Sequence, residues 1–159
     1  MLFRSLAFAR GQESEPAVDT DLGELLNDMV KDVRRQGSDV ELQIESGVIL
    51  PLRVQAFRRG LGNLLANALR YGRHVLISMH RAGASVEIAV DDDGPGIPAA
   101  HRDDVFRPFV RIDPSRNPAS GGVGLGLTIA LDVMRGHGGD VVLDKAPMGG
   151  LRALVRLPI

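Results

Sequence analysis

The stretch Ile88-Ala89-Val90-Asp91-Asp92-Asp93-Gly94-Pro95-Gly96-Ile97 is an apolar segment that runs directly into three acidic residues and a glycine-rich turn. Large apolar residues at 86, 88 and 90 alternate with Ser85, Glu87 and Ala89, which predicts a β-strand with one buried face. The same period of two continues the buried face onto Asp92 and onto neither of its acidic neighbours. We therefore expect a single carboxylate, that of Asp92, to point into the apolar interior.

The predicted burial of Asp92 suggests a ligand. A buried ionised carboxylate is costly unless it accepts hydrogen bonds, and the sequence offers no obvious basic residue beside it. A hydrogen-bond donor on a ligand would satisfy it. Gly94 and Gly96 would let the backbone approach that ligand closely, and Pro95 would stiffen the turn. The alternative is a plain acidic turn after a strand, and the four residues of this turn do not decide between the two.

The composition is that of a globular domain. The 159 residues are 44% hydrophobic and 25% charged, which is enough for one core. The net charge of -1 gives no electrostatic reason to expect nucleic acid or a direct membrane contact. No cysteine is present, which excludes disulfides and thiolate chemistry and fits a reducing compartment.

The order of predicted elements divides the chain at residue 20. Residues 2–10 carry apolar side chains at helical spacing and 12–20 are polar, which predicts a short helix end and a linker. Asp21 is placed to cap a helix that ends at Gly37. Strands are predicted over 40–44, 48–54, 73–79, 85–92, 141–143 and 151–157, of which the second is peripheral because it contains Pro51.

The helix predicted over 55–71 has one polar face and one apolar face. At 100° per residue, Asn63, Asn67, Arg70 and Tyr71 share a sector opposite the leucines. The two asparagines, four positions apart, provide neutral oxygen ligands suited to Mg²⁺ that is held mainly by phosphates and water. The alternative interpretation is a solvated helix face, or hydrogen bonds from the helix to a loop.

A second glycine-rich segment opens the next helix. The Gly124-Leu125-Gly126 turn exposes backbone N–H groups at the positive end of the helix dipole, which favours phosphate. It is not a P-loop, because Leu127 stands where lysine is needed, and not a Rossmann loop, because a long loop over 97–121 precedes it. Close helix packing is the alternative explanation of these glycines.

Together, these motifs resemble the ATP-binding catalytic domain of sensor histidine kinases, in the GHKL superfamily with gyrase B, the Hsp90 chaperones and MutL. The resemblance spans about residues 22–157. The residues of the motifs quoted next are most similar to those of an osmosensor kinase. NLLANALRY at 63–71 resembles the N box, DDGPG at 92–96 the G1 box, FRPFVR at 106–111 the F box and GVGLGL at 122–127 the G2 box.

The resemblance implies a Bergerat fold, an α+β two-layer sandwich. A mixed, mostly antiparallel sheet of about five strands would pack on about three helices. ATP would lie between the N-box helix and a lid at about 97–121. The catalytic domain would occupy residues 21–159, after the end of a dimerisation helix and a linker in residues 1–20.

The resemblance also implies roles for individual residues. Asp92 would accept from the adenine amino group, Asn67 would bind Mg²⁺ with Asn63 assisting at the phosphates, Arg70 would contact phosphate, and Tyr71 would pack near the base or ribose. Further nucleotide contacts are implied for Gly94, Gly96, Ile97, Phe109, Gly122, Gly124, Leu125, Gly126 and Leu127. Phe106 and Phe109 would anchor the lid, and Arg111 or Arg116 would reach the γ-phosphate or the partner domain. Val123 replaces a frequent hydroxyl residue, so that phosphate contact is not expected.

The residue at position 63 bears on the type of reaction. The ATPases of the superfamily resemble one another in having glutamate there, and an amide cannot act as a general base. A neutral imidazole acceptor needs less activation than water. We therefore expect phosphotransfer to histidine, with Asn63, Asn67 and Arg111 in the catalytic set, rather than the ATP hydrolysis of a gyrase or chaperone.

The acceptor histidine is expected outside this chain. None of His74, His80, His101 and His137 is followed by the acidic residue typical of the family's phosphoacceptor. The partners would be a separate dimerisation and histidine phosphotransfer domain and a downstream response regulator. The domain would be cytoplasmic, whether or not the parent is an inner-membrane sensor. A nucleotide-gated interaction module without productive transfer is the alternative function.

Overall fold

The structure, a computed structural model, describes residues 15–102 and 126–159. Within these ranges the chain forms three α-helices, a 3-10 turn at Ala99–His101 and seven strands. The helices are α1 (Leu22–Arg35), α2 (Val54–Tyr71) and α3 (Gly126–Gly136). The strands are β1 (Val18–Asp21), β2 (Asp39–Ile44), β3 (Ile49–Leu52), β4 (His74–Ala82), β5 (Ser85–Asp92), β6 (Asp140–Lys145) and β7 (Leu151–Pro158).

The main sheet has five strands in the order β2-β4-β5-β7-β6. Only the β2–β4 pair is parallel among the pairs in this sheet as described. Alternate side chains of β4, β5 and β7 join the apolar stripes of the helices in one core, which includes Ile77, Ile88, Val155, Leu64 and Met134. The predicted two-layer α+β sandwich is confirmed. No helix in the described ranges is long and apolar enough to cross a membrane.

Helix α1 begins and ends where the sequence predicts. The Asp21 carboxylate accepts a hydrogen bond from the Glu24 backbone N–H at 3.1 Å, and Gly37 adopts a φ of 91° just after the helix. An N-cap carboxylate satisfies one of the N–H groups that have no partner within the helix. The predicted capping roles of both residues are confirmed.

Strand β1 differs from the expected linker. Residues Val18–Asp21 pair antiparallel with β3, with Val18 opposite Leu52 and Asp21 opposite Ile49. The predicted linker therefore ends before Val18. A pattern of apolar burial could not reveal this strand, since Val18 is 49% exposed and the pairing depends on backbone hydrogen bonds.

Helix α2 is capped by a residue that precedes β1. Arg53, at the N-cap position, makes no side-chain capping bond. Instead the two carboxylate oxygens of Glu15 accept from the backbone N–H groups of Gln55 at 2.7 Å and Ala56 at 3.0 Å. A carboxylate at this end also complements the helix dipole. The segment before the first strand thus stabilises the start of the helix that carries Asn63 and Asn67.

Helices α2 and α3 are in tight contact at a glycine. A Cβ at Gly60 would lie 2.8 Å from Val133 Cγ1 and 2.9 Å from Val133 Cβ, whereas a Cβ at Gly62 would be 3.9 Å from its nearest neighbour, Met29 Cε. Val133 is β-branched and fully buried, so it has little freedom to move aside. The absence of a side chain at Gly60 therefore sets the distance between the two helices.

We expect Gly60→Ala and Gly62→Ala to have opposite effects on stability. Overpacking at position 60 should cost about 1–3 kcal/mol, whereas alanine at position 62 should stabilise α2 by about 0.5–1 kcal/mol through helix propensity. Urea unfolding of both variants measures the difference. A Gly60→Ala protein as stable as Gly62→Ala would show that the interhelical distance is not set by this contact.

Candidate functional site

The site is built around the Asp92 carboxylate at the end of β5. Asp92 is only 1% exposed, as its position on the apolar face predicts. Its Oδ1 atom accepts hydrogen bonds from the backbone N–H groups of Gly94 at 2.9 Å and Leu151 at 3.1 Å. The protein backbone therefore supplies hydrogen bonds that the sequence left to a ligand donor, and the predicted contact of Asp92 with adenine stays a prediction. These backbone donors hold the carboxylate in one orientation and offset the free-energy cost of burying it.

Glycines surround this carboxylate on several sides. A Cβ at Gly150 would collide with Asp92 Oδ1 and with the Asp92 backbone, and one at Gly72 would lie 2.8 Å from Asp92 Cβ. A Cβ at Gly94 would lie 2.5 Å from the Tyr71 carbonyl oxygen. We name Gly72, Gly94 and Gly150 the glycine collar. Its members bring the end of α2 and the start of β7 against Asp92 with backbone alone.

The turn after β5 is closed by Gly96 and Ile97. Gly96 adopts a φ of 72°, in the left-handed region that favours glycine. A Cβ there would lie 3.4 Å from the Gly150 carbonyl oxygen, and Ile97 is buried in the core. Gly96 therefore meets a backbone requirement of the turn, whereas its predicted contact with nucleotide stays a prediction.

The polar face of α2 meets the start of α3. Asn63 and Asn67 are half-buried, Tyr71 is half-buried and Arg70 is exposed. The Asn63 Nδ2 atom donates a long hydrogen bond of 3.4 Å to the Gly126 carbonyl oxygen. The structure therefore brings Asn63 to Gly126, which is the first residue of α3 and lies within the glycine-rich segment 122–127.

Several predicted site residues lie outside the described ranges. They are Phe106, Phe109, Arg111, Arg116, Gly122, Gly124 and Leu125. Of the predicted lid, residues 97–102 are described, and Ala99–His101 form the 3-10 turn. Arg102 donates from Nε to the Ile97 carbonyl oxygen at 3.1 Å, and its Nη1 lies 3.8 Å from Asp144 Oδ1.

Asp91 is a second buried acid that the sequence pattern missed. The alternation predicted that Asp92 alone would be buried, but Asp91 is also only 1% exposed. Its carboxylate accepts from Arg152 Nε at 2.7 Å and Nη2 at 2.8 Å, a bidentate pair. This hydrogen bonding with Asp91 raises the pKa of the Arg152 guanidinium above its ordinary value. The cation is 61 positions away in sequence, which is why local pattern does not reveal it.

The third acid, Asp93, is exposed and stabilises the connection between α2 and β4. Its Oδ1 accepts from the backbone N–H groups of Arg73 at 2.7 Å and His74 at 3.1 Å. The bond from the His74 N–H, followed by that from Arg73, lowers the pKa of Asp93. The side-chain hydrogen bond between His74 Nδ1 and Asp39 Oδ2, 2.9 Å long, raises the pKa of His74. The three acids of the motif therefore have three different structural roles.

The amino-acid sequence matches an established family and its curated members. The profile of the family described as histidine kinase-, DNA gyrase B- and HSP90-like ATPase matches residues 52–159. Sensor protein RstB of Escherichia coli is 37% identical over 150 residues, which are 92% of this chain and 34% of RstB. Sensor histidine kinase GtrS of Pseudomonas aeruginosa is 42% identical over 108 residues, 68% of this chain and 22% of GtrS. The chain spans about a third or less of these relatives.

Solved structures share the fold. The ATP-binding domain of PrrB from Mycobacterium tuberculosis superposes with a TM-score of 0.71 at 30% identity, covering 89% of this chain and 96% of that one. The histidine kinase domain of the E. coli osmosensor EnvZ gives a TM-score of 0.70 at 29% identity, covering 91% and 89%. The similarity to an osmosensor kinase in the sequence motifs is compatible with this second match.

The His74–Asp39 contact predicts a pH dependence. The pKa of His74 is raised from its ordinary 6.5 in the folded state, so its contribution to stability is fully present below the unfolded-state pKa and is lost as pH rises through the folded-state pKa. We expect Asp39→Asn to lower the pKa of His74, measured by NMR titration of the imidazole. The more distant carboxylate of Glu41 provides the control: Glu41→Gln should lower it less. An unchanged His74 titration in Asp39→Asn would contradict this assignment.

Proposed function

The chain belongs to the family of histidine kinase-, DNA gyrase B- and HSP90-like ATPases and is the ATP-binding catalytic domain of a sensor histidine kinase, and from that premise we propose that it binds Mg-ATP and transfers the γ-phosphate to a histidine on a separate dimerisation domain. The observation that carries the proposal is the buried Asp92 carboxylate, held by two backbone N–H groups beside the N-box helix.

Adenine would be recognised at Asp92. The carboxylate is an acceptor whose orientation is fixed before any ligand arrives, and it would accept from the exocyclic amino group of the base. The glycine collar keeps side chains away from its surroundings, so that the backbone at Gly94 and Gly96 would approach the purine closely. Tyr71, at the end of the same helix, would pack near the base or ribose.

The phosphates would lie along the polar face of α2 that carries Asn63, Asn67 and Arg70. The contact between Asn63 and Gly126 supports this placement, because it joins the N-box helix to a helix N-terminus, where the dipole favours anions. Asn67 would hold Mg²⁺ through its amide oxygen, and the ion would supply charge neutralisation at the phosphates. Arg70 would contact phosphate. Further contacts are proposed for Gly122, Gly124, Leu125, Gly126 and Leu127, with Phe109 and Arg111 in the lid.

Transfer to histidine is favoured over hydrolysis. Asn63 stands four residues before Asn67, and its amide cannot remove a proton from water. An imidazole nitrogen is already nucleophilic when neutral. The acceptor would belong to the dimerisation domain of the parent, and a response regulator would receive the phosphoryl group next. We place this domain in the cytoplasm, and a sensor anchored in the inner membrane is one form that its parent would take.

A transfer assay tests the proposal. With labelled ATP, Mg²⁺ and the separate dimerisation domain, we expect acid-labile phosphate on that domain. Asp92→Asn should weaken ATP binding by about 10- to 100-fold, the loss of a hydrogen bond to a charged acceptor, whereas Asp132→Asn on the exposed face of α3 should not weaken it. Calorimetric titration with a non-hydrolysable ATP analogue gives both affinities.

Each failure of the assay has a distinct meaning. ATP binding without transfer would favour the nucleotide-gated interaction module, in which the lid orders around ATP to present a surface to a partner. Turnover of ATP without any partner would favour an ATPase. Equal affinities of Asp92→Asn and Asp132→Asn would remove Asp92 from the proposed adenine site.

A further inference from the structure

Asp91 and Arg152 join β5 and β7 on the face of the sheet opposite Asp92. Successive side chains of a strand point to opposite faces, so Asp91 lies behind the strand as seen from the proposed adenine site. Asp91 is 1% exposed and the Arg152 side chain 33%. The two parallel hydrogen bonds, at 2.7 and 2.8 Å, hold the two side chains in one bidentate geometry across the strands.

This ion pair lies at the last rung of the β5–β7 ladder. Asp91 is directly opposite Arg152, and the register ends there. The next residues on the two strands are those of the site: Asp92 Oδ1 accepts from the Leu151 N–H at 3.1 Å, and Gly150 packs against the Asp92 carboxylate. The two strands are thus joined on both faces of the sheet. On one face the Asp91–Arg152 ion pair joins them, and on the other the hydrogen bond from the Leu151 N–H to the Asp92 carboxylate does.

We propose that Asp91 and Arg152 are positioning residues for nucleotide selection, because their ion pair holds the backbone of residues 150–151 where it orients the Asp92 carboxylate toward adenine. This inference rests on the proposed function. Neither residue would touch the nucleotide, and both would act through the Leu151 N–H. Their loss should therefore affect discrimination of the purine 6-substituent more than the general affinity for a nucleoside triphosphate.

The same two strands provide a matched control. Glu87 is directly opposite Arg156, on the same face of the sheet and four residues from the Asp91–Arg152 rung. Arg156 donates from Nε at 2.9 Å and Nη2 at 2.7 Å to Glu87 Oε2. This second pair joins the strands with the same chemistry but away from Asp92. Removal of either pair should therefore lower the stability of the sheet, whereas only removal of the Asp91–Arg152 pair should lower the selectivity for adenine.

The test compares two double variants by calorimetric titration with ATP and with inosine triphosphate, whose base carries an oxygen in place of the amino group. Asp91→Leu/Arg152→Met replaces the pair with apolar side chains and so avoids leaving a buried charge without a partner. We expect its ATP affinity to fall by roughly tenfold, about one hydrogen bond to a charged group, with a smaller change for inosine triphosphate. Glu87→Leu/Arg156→Met should keep the ATP preference of the parent.

A second measurement requires no nucleotide. Amide hydrogen exchange of the Leu151 N–H should become roughly tenfold faster in Asp91→Leu/Arg152→Met if its bond to Asp92 is loosened. The Glu87→Leu/Arg156→Met variant should leave this rate unchanged. Arg152→Lys retains the charge without the bidentate geometry and should give an intermediate ATP preference and exchange rate.

The outcomes separate this inference from the proposed function. If the parent protein does not prefer ATP over inosine triphosphate, the adenine role of Asp92 fails. If the parent prefers ATP and both double variants keep that preference and the Leu151 exchange rate, the positioning role is overturned. Should Asp91→Leu/Arg152→Met prove unfolded by circular dichroism, Arg152→Lys decides: an unchanged ATP preference in that folded variant overturns the inference.

Discussion

The arrangement of this domain depends on the burial of one carboxylate, that of Asp92. Asp92 is almost completely removed from solvent at the end of a central strand, and that burial is tolerated because the Gly94 and Leu151 N–H groups both donate to Oδ1. Those two donors come from the turn after β5 and from the start of β7. The chain must therefore bring two segments far apart in sequence against one side chain, which the sheet order places beside each other.

The glycine collar follows from the same constraint. A side chain at Gly150 would occupy the position of the carboxylate, and one at Gly72 or Gly94 would separate the end of α2 from the G1 turn. The collar therefore connects the sheet to the N-box helix through backbone contacts. On the opposite face, the Asp91–Arg152 pair aligns the same two strands. The site is defined as much by absent side chains as by those present.

The periodicity of the sequence predicted those features of the fold and the site that depend on neighbouring residues. The alternation before Asp92, the polar face with Asn63 and the cap at Asp21 are each visible in a short window, and the fold class followed from the resemblance that these motifs carry. The burial of Asp91 was missed because its partner, Arg152, is on another strand. The role of Gly150 was missed because a glycine before a strand is ordinarily a turn residue. The alternation within one strand does not predict which backbone groups of a distant strand will contact it.

Helix α2 carries the proposed phosphate ligands, and both of its ends are held by other segments. At its start, the Glu15 carboxylate accepts from two backbone N–H groups, while the Arg53 N–H donates to His137 Nε2 at 3.1 Å, next to the end of α3. After its end, Asp93 accepts from the Arg73 and His74 N–H groups. Asn63 and Asn67 therefore keep their position relative to Asp92 through contacts at both ends of one helix. Because Glu15 precedes β1, the segment before the first strand contacts the start of the helix that would bind the phosphates.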